Sequence, residues 1–439
     1  MSNLAINGGK PVRKTPFGKY ETLGSEERDA VLRVMDSGVL SGYYGSYDEG
    51  YLGGPEVRAL EDEWASYFGS KFAVAVNSAT SGLISAVGAA HISPGDEVIV
   101  TPISMTATAT AIVMWGGVPI FADVDADTYC LDPVSVESLI TERTKAIVVT
   151  NIFGQPYDHL AINALAASNG LLVIEDNAQG PGAMHGDRYA GTLGDMGIFS
   201  LNYHKHIQTG EGGMVCTDDP ELADRMRMIR NHAEAVAGGR IADEPDLDLT
   251  NMIGFNFRMG ELEAAIAREQ LPKLAGLVKH GVDNVLQLES GLKGIDALTM
   301  PVVRTDCTHV YYEHAMLFDE GVAGVSRSVF VEAVQAELPI TLGKEAEGPL
   351  VFDGFGKPLY MLPMYQKRSA MGTHGFPFES PFNERTPDYS EGICPTAESV
   401  LSKLLLTELF RPPASESDVD DVIEAFQKVW KHRDELAAR

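Results

Sequence analysis

Apolar residues gather into short, regularly spaced runs between about residues 70 and 220, at 72–76, 97–100, 119–124, 146–150, 171–175, 197–201 and 213–216. Several runs are apolar throughout, the pattern of strands covered on both faces. Segments with helical spacing separate them, including 81–90, 133–140 and 159–168. Strands alternating with helices predict a mostly parallel sheet with right-handed crossovers. Ligands of such sheets sit beyond the carboxyl ends of the strands, so the loops there are the places to look for chemistry. Upstream, Ser25 is an N-cap for a helix over 26–35, and a second helix is expected over 55–67. Downstream, a long amphipathic helix is expected over 259–277, then mixed strands and helices, and a last helix over 417–436. We place the domain boundary near residue 280, giving a large domain, 1–280, and a smaller one, 281–439, with the N-terminal stretch packing back on the latter.

Composition narrows the classes. The 439 residues are 44% apolar and 22% charged, ordinary for a globular chain. Lys plus Arg number 34 against 62 Asp plus Glu, a net charge of −28 that disfavours nucleic-acid binding. The cysteines, Cys130, Cys216, Cys307 and Cys394, form no CxxC pair, and no metal site is expected. The uncharged run 98–122 is broken by Pro102, Gly116, Gly117 and Pro119, so it reads as strand, loop, helix and turn, not as a membrane span. The N-terminus lacks the apolar core of a signal peptide, and a cytoplasmic protein is expected.

Common cofactor and nucleophile motifs (GxxxxGK[ST], GxGxxG, GxSxG, HExxH) are absent. Four groups near predicted strand ends or ahead of a helix remain. Asn77-Ser78-Ala79-Thr80-Ser81-Gly82 follows the first run. Small residues opening a helix leave backbone N–H groups for an anion, although a plain capped helix start has the same sequence. Glu175-Asp176-Asn177-Ala178-Gln179 closes the fifth run. A carboxylate there can hold a protonated ring nitrogen, or simply cap. Lys205 lies between His204 and His206, ahead of the turn Thr209-Gly210-Glu211-Gly212-Gly213. Most loop lysines are solvated, but one held in a closed site can form a Schiff base. Gly254-Phe255-Asn256-Phe257-Arg258-Met259 leads into the long helix.

Together and in this order, these groups resemble the DegT/DnrJ/EryC1/StrS family of pyridoxal-phosphate sugar aminotransferases. The resemblance runs from Gly24-Ser25-Glu26-Glu27 through Gly95-Asp96-Glu97-Val98-Ile99 and Phe153-Gly154-Gln155-Pro156 to Cys394-Pro395-Thr396-Ala397-Glu398. It implies an α/β, fold-type-I PLP-dependent transferase, with a large domain built on a seven-stranded, mostly parallel sheet and a smaller C-terminal α/β domain. It also implies a homodimer with shared active sites. Lys205 matches the lysine that forms the Schiff base with pyridoxal 5′-phosphate, and Asp176 the carboxylate that pairs with its ring nitrogen; these are the implied catalytic residues. Gln179 matches a residue near the phenolic oxygen. Ser78, Ala79, Thr80 and Ser200 match the phosphate cradle, and Asn256 a phosphate ligand from the neighbouring subunit.

Some positions depart from the family pattern. Met105 stands where most members stack an aromatic on the cofactor; a thioether can pack on a ring, and filling the core is the competing role. Ala79 replaces a Gly, and Asn177 replaces a common Ala. Two longer segments, 41–51 with Tyr43, Tyr44 and Tyr47, and about 344–390, are expected to form part of an acceptor pocket. The implied reaction passes an amino group from glutamate or glutamine to a keto sugar, nucleotide-linked, in amino-sugar biosynthesis. The alternatives are a keto-cyclitol acceptor or an aminobenzoate-type synthase. Sugar dehydratases of the family carry His in place of the lysine, and a non-catalytic regulator has no need of Lys205, Asp176 and Gln179. A nucleotide-linked acceptor also needs cations, for which Arg230, Lys205 and Arg258 lie in matched segments.

Overall fold

The apolar runs of the first half assemble into one sheet. The computed structural model describes residues 2–45, 49–234, 244, 248–343, 350–408 and 412–436. In chain order its strands are β1 (Phe72–Val76), β2 (Glu97–Val100), β3 (Val118–Phe121), β4 (Thr144–Thr150), β5 (Leu172–Asp176), β6 (Met184–His185), β7 (Arg188–Tyr189), β8 (Met196–Ser200), β9 (Gly213–Thr217), β10 (Leu298–Thr299), β11 (His314–Phe318), β12 (Val351–Asp353) and β13 (Leu404–Thr407). The main sheet has seven strands in the order β1-β9-β8-β5-β4-β2-β3. Strands β3, β2, β4, β5 and β8 are parallel, whereas β9 runs antiparallel to both β8 and β1. Every residue of β2, β3, β8 and β9 is buried, which is why these runs lack polar alternation. β6 and β7 form a separate hairpin.

A second, antiparallel sheet is ordered β10-β11-β13-β12. The helices Leu274–Leu292 and Glu416–Lys431 pack on it, sharing a core that includes Leu288, Leu292, Val419, Val422 and Phe426. Leu4 and Phe17 belong to that core. Residue 280 lies inside the helix Leu274–Leu292. The helix expected over 259–277 is interrupted: Glu261–Gln270 gives way to a 3-10 turn, Leu271–Lys273, before the next helix starts. Pro272 supplies no N–H and its ring crowds the carbonyl one turn back, so the α-helical ladder breaks there. Among the described residues, no helix is long and apolar enough to cross a membrane.

Both edges of the main sheet are closed. At β1, Glu61 accepts a hydrogen bond from the Ala75 N–H (2.9 Å), and the Arg230 guanidinium donates to the Ala75 carbonyl (3.0 Å) and to the same Glu61 carboxylate. Arg230 is fully buried and Glu61 nearly so, so the pair acts as a side-chain strand laid along the open edge. At β3, the Tyr389 hydroxyl donates to the Pro119 carbonyl (2.9 Å), while Arg385 grips buried Glu97 (2.7 Å) at the start of β2. The segment carrying these residues thus runs along the sheet margin; 344–349 lie outside the described residues.

Removing one half of a buried ion pair strands the other charge, at about 3–5 kcal/mol. Glu61→Ala is therefore expected to lower the unfolding free energy by that amount, read as a fall in the denaturant midpoint at unchanged slope. Glu61→Leu/Arg230→Leu should recover part of it, because no lone charge is left.

Candidate active site

The carboxyl ends of β1, β4, β5 and β8 open onto one cavity of about 380 Å³, lined by Ser78, Thr150, Asp176 and Ser200 from just beyond or at those ends. The end of β5 sets its chemistry. Successive side chains of a strand point to opposite faces, so Glu175 and Asp176 part company. Glu175 turns away and accepts from the backbone N–H groups of Gly191 (2.7 Å), Leu193 (2.6 Å) and Gly194 (2.6 Å) and from Asn151 Nδ2 (3.0 Å). Asn177 works with it, donating to the Ala190 carbonyl (2.9 Å) and accepting from Asn151 (2.9 Å). The departure at 177 is therefore a brace for the 190–194 loop.

Asp176 faces the cavity. Burial raises its pKa above the usual carboxylate range; the Thr108 hydroxyl (2.6 Å), the Ala178 N–H (3.2 Å) and the charge of Lys205 pull it back. Thr108 stands in a hydroxyl chain, sharing a 2.7 Å hydrogen bond with Ser104, which accepts from Thr150 at 3.3 Å.

Ser78 caps the helix Ala79–Ala89, accepting from the Ser81 N–H at 3.1 Å. Ala79 and Thr80 open that helix, so their N–H groups have no intrahelical acceptor and carry the positive end of its dipole. The chain packs tightly behind them: a Cβ on Gly213 would come 2.7 Å from the Ala79 nitrogen. Ser200 ends β8, and the Lys205 turn follows, held by a hydrogen bond from the Lys205 N–H to the Asn202 carbonyl (2.9 Å). The Tyr20 hydroxyl donates to the Lys205 and His206 carbonyls at 3.2 and 2.8 Å. Gln179 accepts from the Phe153 N–H at 2.7 Å, leaving its amide nitrogen as the donor it can offer the cavity. Phe153 itself holds a φ of +56°, a strained conformation for a non-glycine residue.

Ser78, Ala79, Thr80, Met105, Asp176, Gln179, Ser200 and Lys205 thus all line the cavity. Met105 is 68% exposed at its rim, which removes the core-filling role. Asn256 does not line it; exposed, it accepts from Arg258 Nε at 2.9 Å. Tyr43 is buried with its ring 5.0 Å from the Arg230 guanidinium, and Tyr44 is exposed; Tyr47 lies outside the described residues. No described residue of 41–51 or 350–390 lines the cavity. Thr108, bonded to Asp176, and Tyr312, beside Lys205 in the cavity lining, are the neighbours of the candidate residues that sequence reasoning missed. The only signal was the hydroxyl spacing in Ser104-Met105-Thr106-Ala107-Thr108. Among the described residues, no cluster of three or more His, Cys, Asp or Glu could hold a metal.

A family model described as the DegT/DnrJ/EryC1/StrS aminotransferase family matches residues 24–378. Curated relatives include the spore coat polysaccharide biosynthesis protein SpsC of Bacillus subtilis, 34% identical, with 94% of this chain and 96% of that protein covered. Another is the L-glutamine:2-deoxy-scyllo-inosose aminotransferase of Streptomyces kanamyceticus, 32% identical over 100% of this chain and 99% of its own length. Among solved structures, the aminotransferase from Psychrobacter cryohalolentis superposes with a TM-score of 0.77 at 28% identity, covering 95% of this chain and 99% of that one.

Thr108→Val removes a hydrogen bond to an ionised group, worth about 1.5–3 kcal/mol. The folded-state pKa of Asp176 should then rise further, so the cofactor-free variant loses stability relative to the parent at neutral pH. The gap should close as pH falls through the raised Asp176 range, where the carboxyl is neutral in both proteins. Denaturant unfolding at several pH values measures it, and a gap independent of pH would contradict this account.

Proposed function

The chain belongs to the DegT/DnrJ/EryC1/StrS aminotransferase family and is an aminotransferase, and from that premise we propose that pyridoxal 5′-phosphate is its cofactor and a keto sugar, nucleotide-linked, its acceptor. On this reading glutamate or glutamine is the amino donor and the product enters amino-sugar biosynthesis. The observation that carries the reading is the convergence of Lys205, Asp176 and the N-terminus of the helix Ala79–Ala89 on one cavity.

The residues present suit that cofactor. The helix N-terminus with Ser78, Thr80 and Ser200 would hold its phosphate, Asp176 its protonated ring nitrogen, Gln179 its phenolic oxygen and Lys205 its carbonyl carbon. Met105, at the rim, would pack on the ring face. When bound, the cofactor supplies an electron sink for the carbanion left when the donor loses its Cα proton. Asp176, buried and fixed by Thr108 and the Ala178 N–H, is a carboxylate in need of a cation, and a protonated ring nitrogen meets that need. Lys205 Nζ takes the Cα proton and returns a proton across the site. The exposure of Asn256 outside its own cavity supports a homodimer in which it serves the neighbouring subunit's phosphate. We place the enzyme in the cytoplasm and retain the division into domains 1–280 and 281–439.

A second reading, a keto-cyclitol acceptor, is favoured by two observations. A relative matched over this whole chain is named for aminating 2-deoxy-scyllo-inosose. Arg230, one of the cations considered for a diphosphate, is committed to Glu61 in the interior.

Lys205→Ala should abolish both the Schiff-base absorption band of the cofactor complex and transaminase turnover; full turnover in this variant would overturn the assignment. Single-turnover assays with glutamate and with glutamine, followed by nucleotide-linked keto sugars and free keto-cyclitols, decide the donor and acceptor. Turnover of the keto-cyclitols alone would reject the nucleotide-linked reading.

A further inference from the structure

Tyr312 belongs to none of the groups that the sequence brought forward, yet it lines the cavity with its ring centroid 4.0 Å from Lys205 Nζ. The backbone around it is built to keep it there. The Val310 N–H donates to the Gly154 carbonyl at 2.9 Å. His206 Nε2, next in sequence to the lysine, pairs with the Val310 carbonyl at 3.0 Å and must be the donor in that bond. One hydrogen bond therefore ties the lysine turn directly to the segment carrying Tyr312. Tyr311, at φ +48°, buries its own ring and stacks it on His309 at 4.1 Å with 10° between the planes. His309 Nδ1 accepts from the Tyr311 N–H at 2.9 Å. Burial, with His314 and His206 nearby, pushes the His309 pKa down to about 3, so this stack stays neutral at physiological pH.

Resting on the reading of Lys205 as the cofactor-binding lysine, we propose that Tyr312 is a positioning residue whose ring face holds the protonated Lys205 amine inside the cavity. An ammonium over the negative face of an aromatic ring is attracted to it, more strongly where water is excluded. Asp176, Glu211 and His204 line the same cavity, and two carboxylates there could draw a flexible lysine aside. The ring gives Nζ a fixed resting place whenever the amine is not bonded to the cofactor, without neutralising it as an ion pair would.

Lysine labelling in the cofactor-free protein tests this without relying on activity. Trace acetic anhydride is applied across a pH series and each lysine peptide is quantified by mass spectrometry, with Lys273, bonded to Glu27 elsewhere in the fold, as the internal control. Tyr312→Leu and Tyr312→Met should move the midpoint of Lys205 labelling down by roughly half to one pH unit, because the charged form loses its partner. Tyr312→Phe, which keeps the ring, should leave the midpoint where it is, and it remains informative should the ringless variants fold poorly. An unmoved midpoint in the Leu and Met variants, or an equal shift in the Phe variant, overturns the proposal. Failure of the underlying reading is separate: it would show as turnover in Lys205→Ala, whatever the labelling gives.

Discussion

A buried carboxylate must be met by fixed donors or cations, and the end of β5 places two acids side by side under that constraint. Glu175 meets it with four donors from the protein, so its site is closed and structural. Among the described residues, Asp176 has Thr108 and the Ala178 N–H beside it and the charge of Lys205 nearby. The difference follows from strand geometry alone, because adjacent side chains leave a strand on opposite faces. One face anchors the 190–194 loop; the other leaves a carboxylate incompletely matched beside a lysine and a helix N-terminus.

This arrangement also answers the question raised by the charge balance. A chain with net charge −28 can still present an anion site, because the relevant field is local: amide dipoles at the helix start act over a few ångströms, whereas surface carboxylates are screened beyond roughly 10 Å. The cations show the same locality. Arg230 contributes to architecture, since one guanidinium nitrogen bonds the Ala75 carbonyl at the sheet edge and the buried Glu61 carboxylate.

The sheet was legible because its central strands are buried on both faces and so read as unbroken apolar runs. The residues at strand ends were legible because small residues, a strand-end acid and a lysine before a glycine turn are locally unusual. What could not be read is what depends on distant partners. Thr108 looks like any helix threonine until β5 brings Asp176 to it. Tyr312 meets Lys205 across more than a hundred positions of sequence. Tyr43 resembles a surface loop aromatic, yet it packs beside a buried arginine. The helix break at Pro272 was visible in principle, but the apolar periodicity continues through it and masks the interruption.

The segment along β3 ties two properties together that are usually engineered apart. Tyr389 and Arg385 protect the margin of the main sheet, while Phe355, in the same segment, packs edge-on against Phe153 at 5.0 Å, the residue whose N–H orients Gln179. A graft that replaces this segment to redirect specificity would uncover a strand edge and loosen the support of a cavity residue at once. Within this scaffold, colloidal behaviour and active-site order are inherited together, and changes to either are best made one side chain at a time.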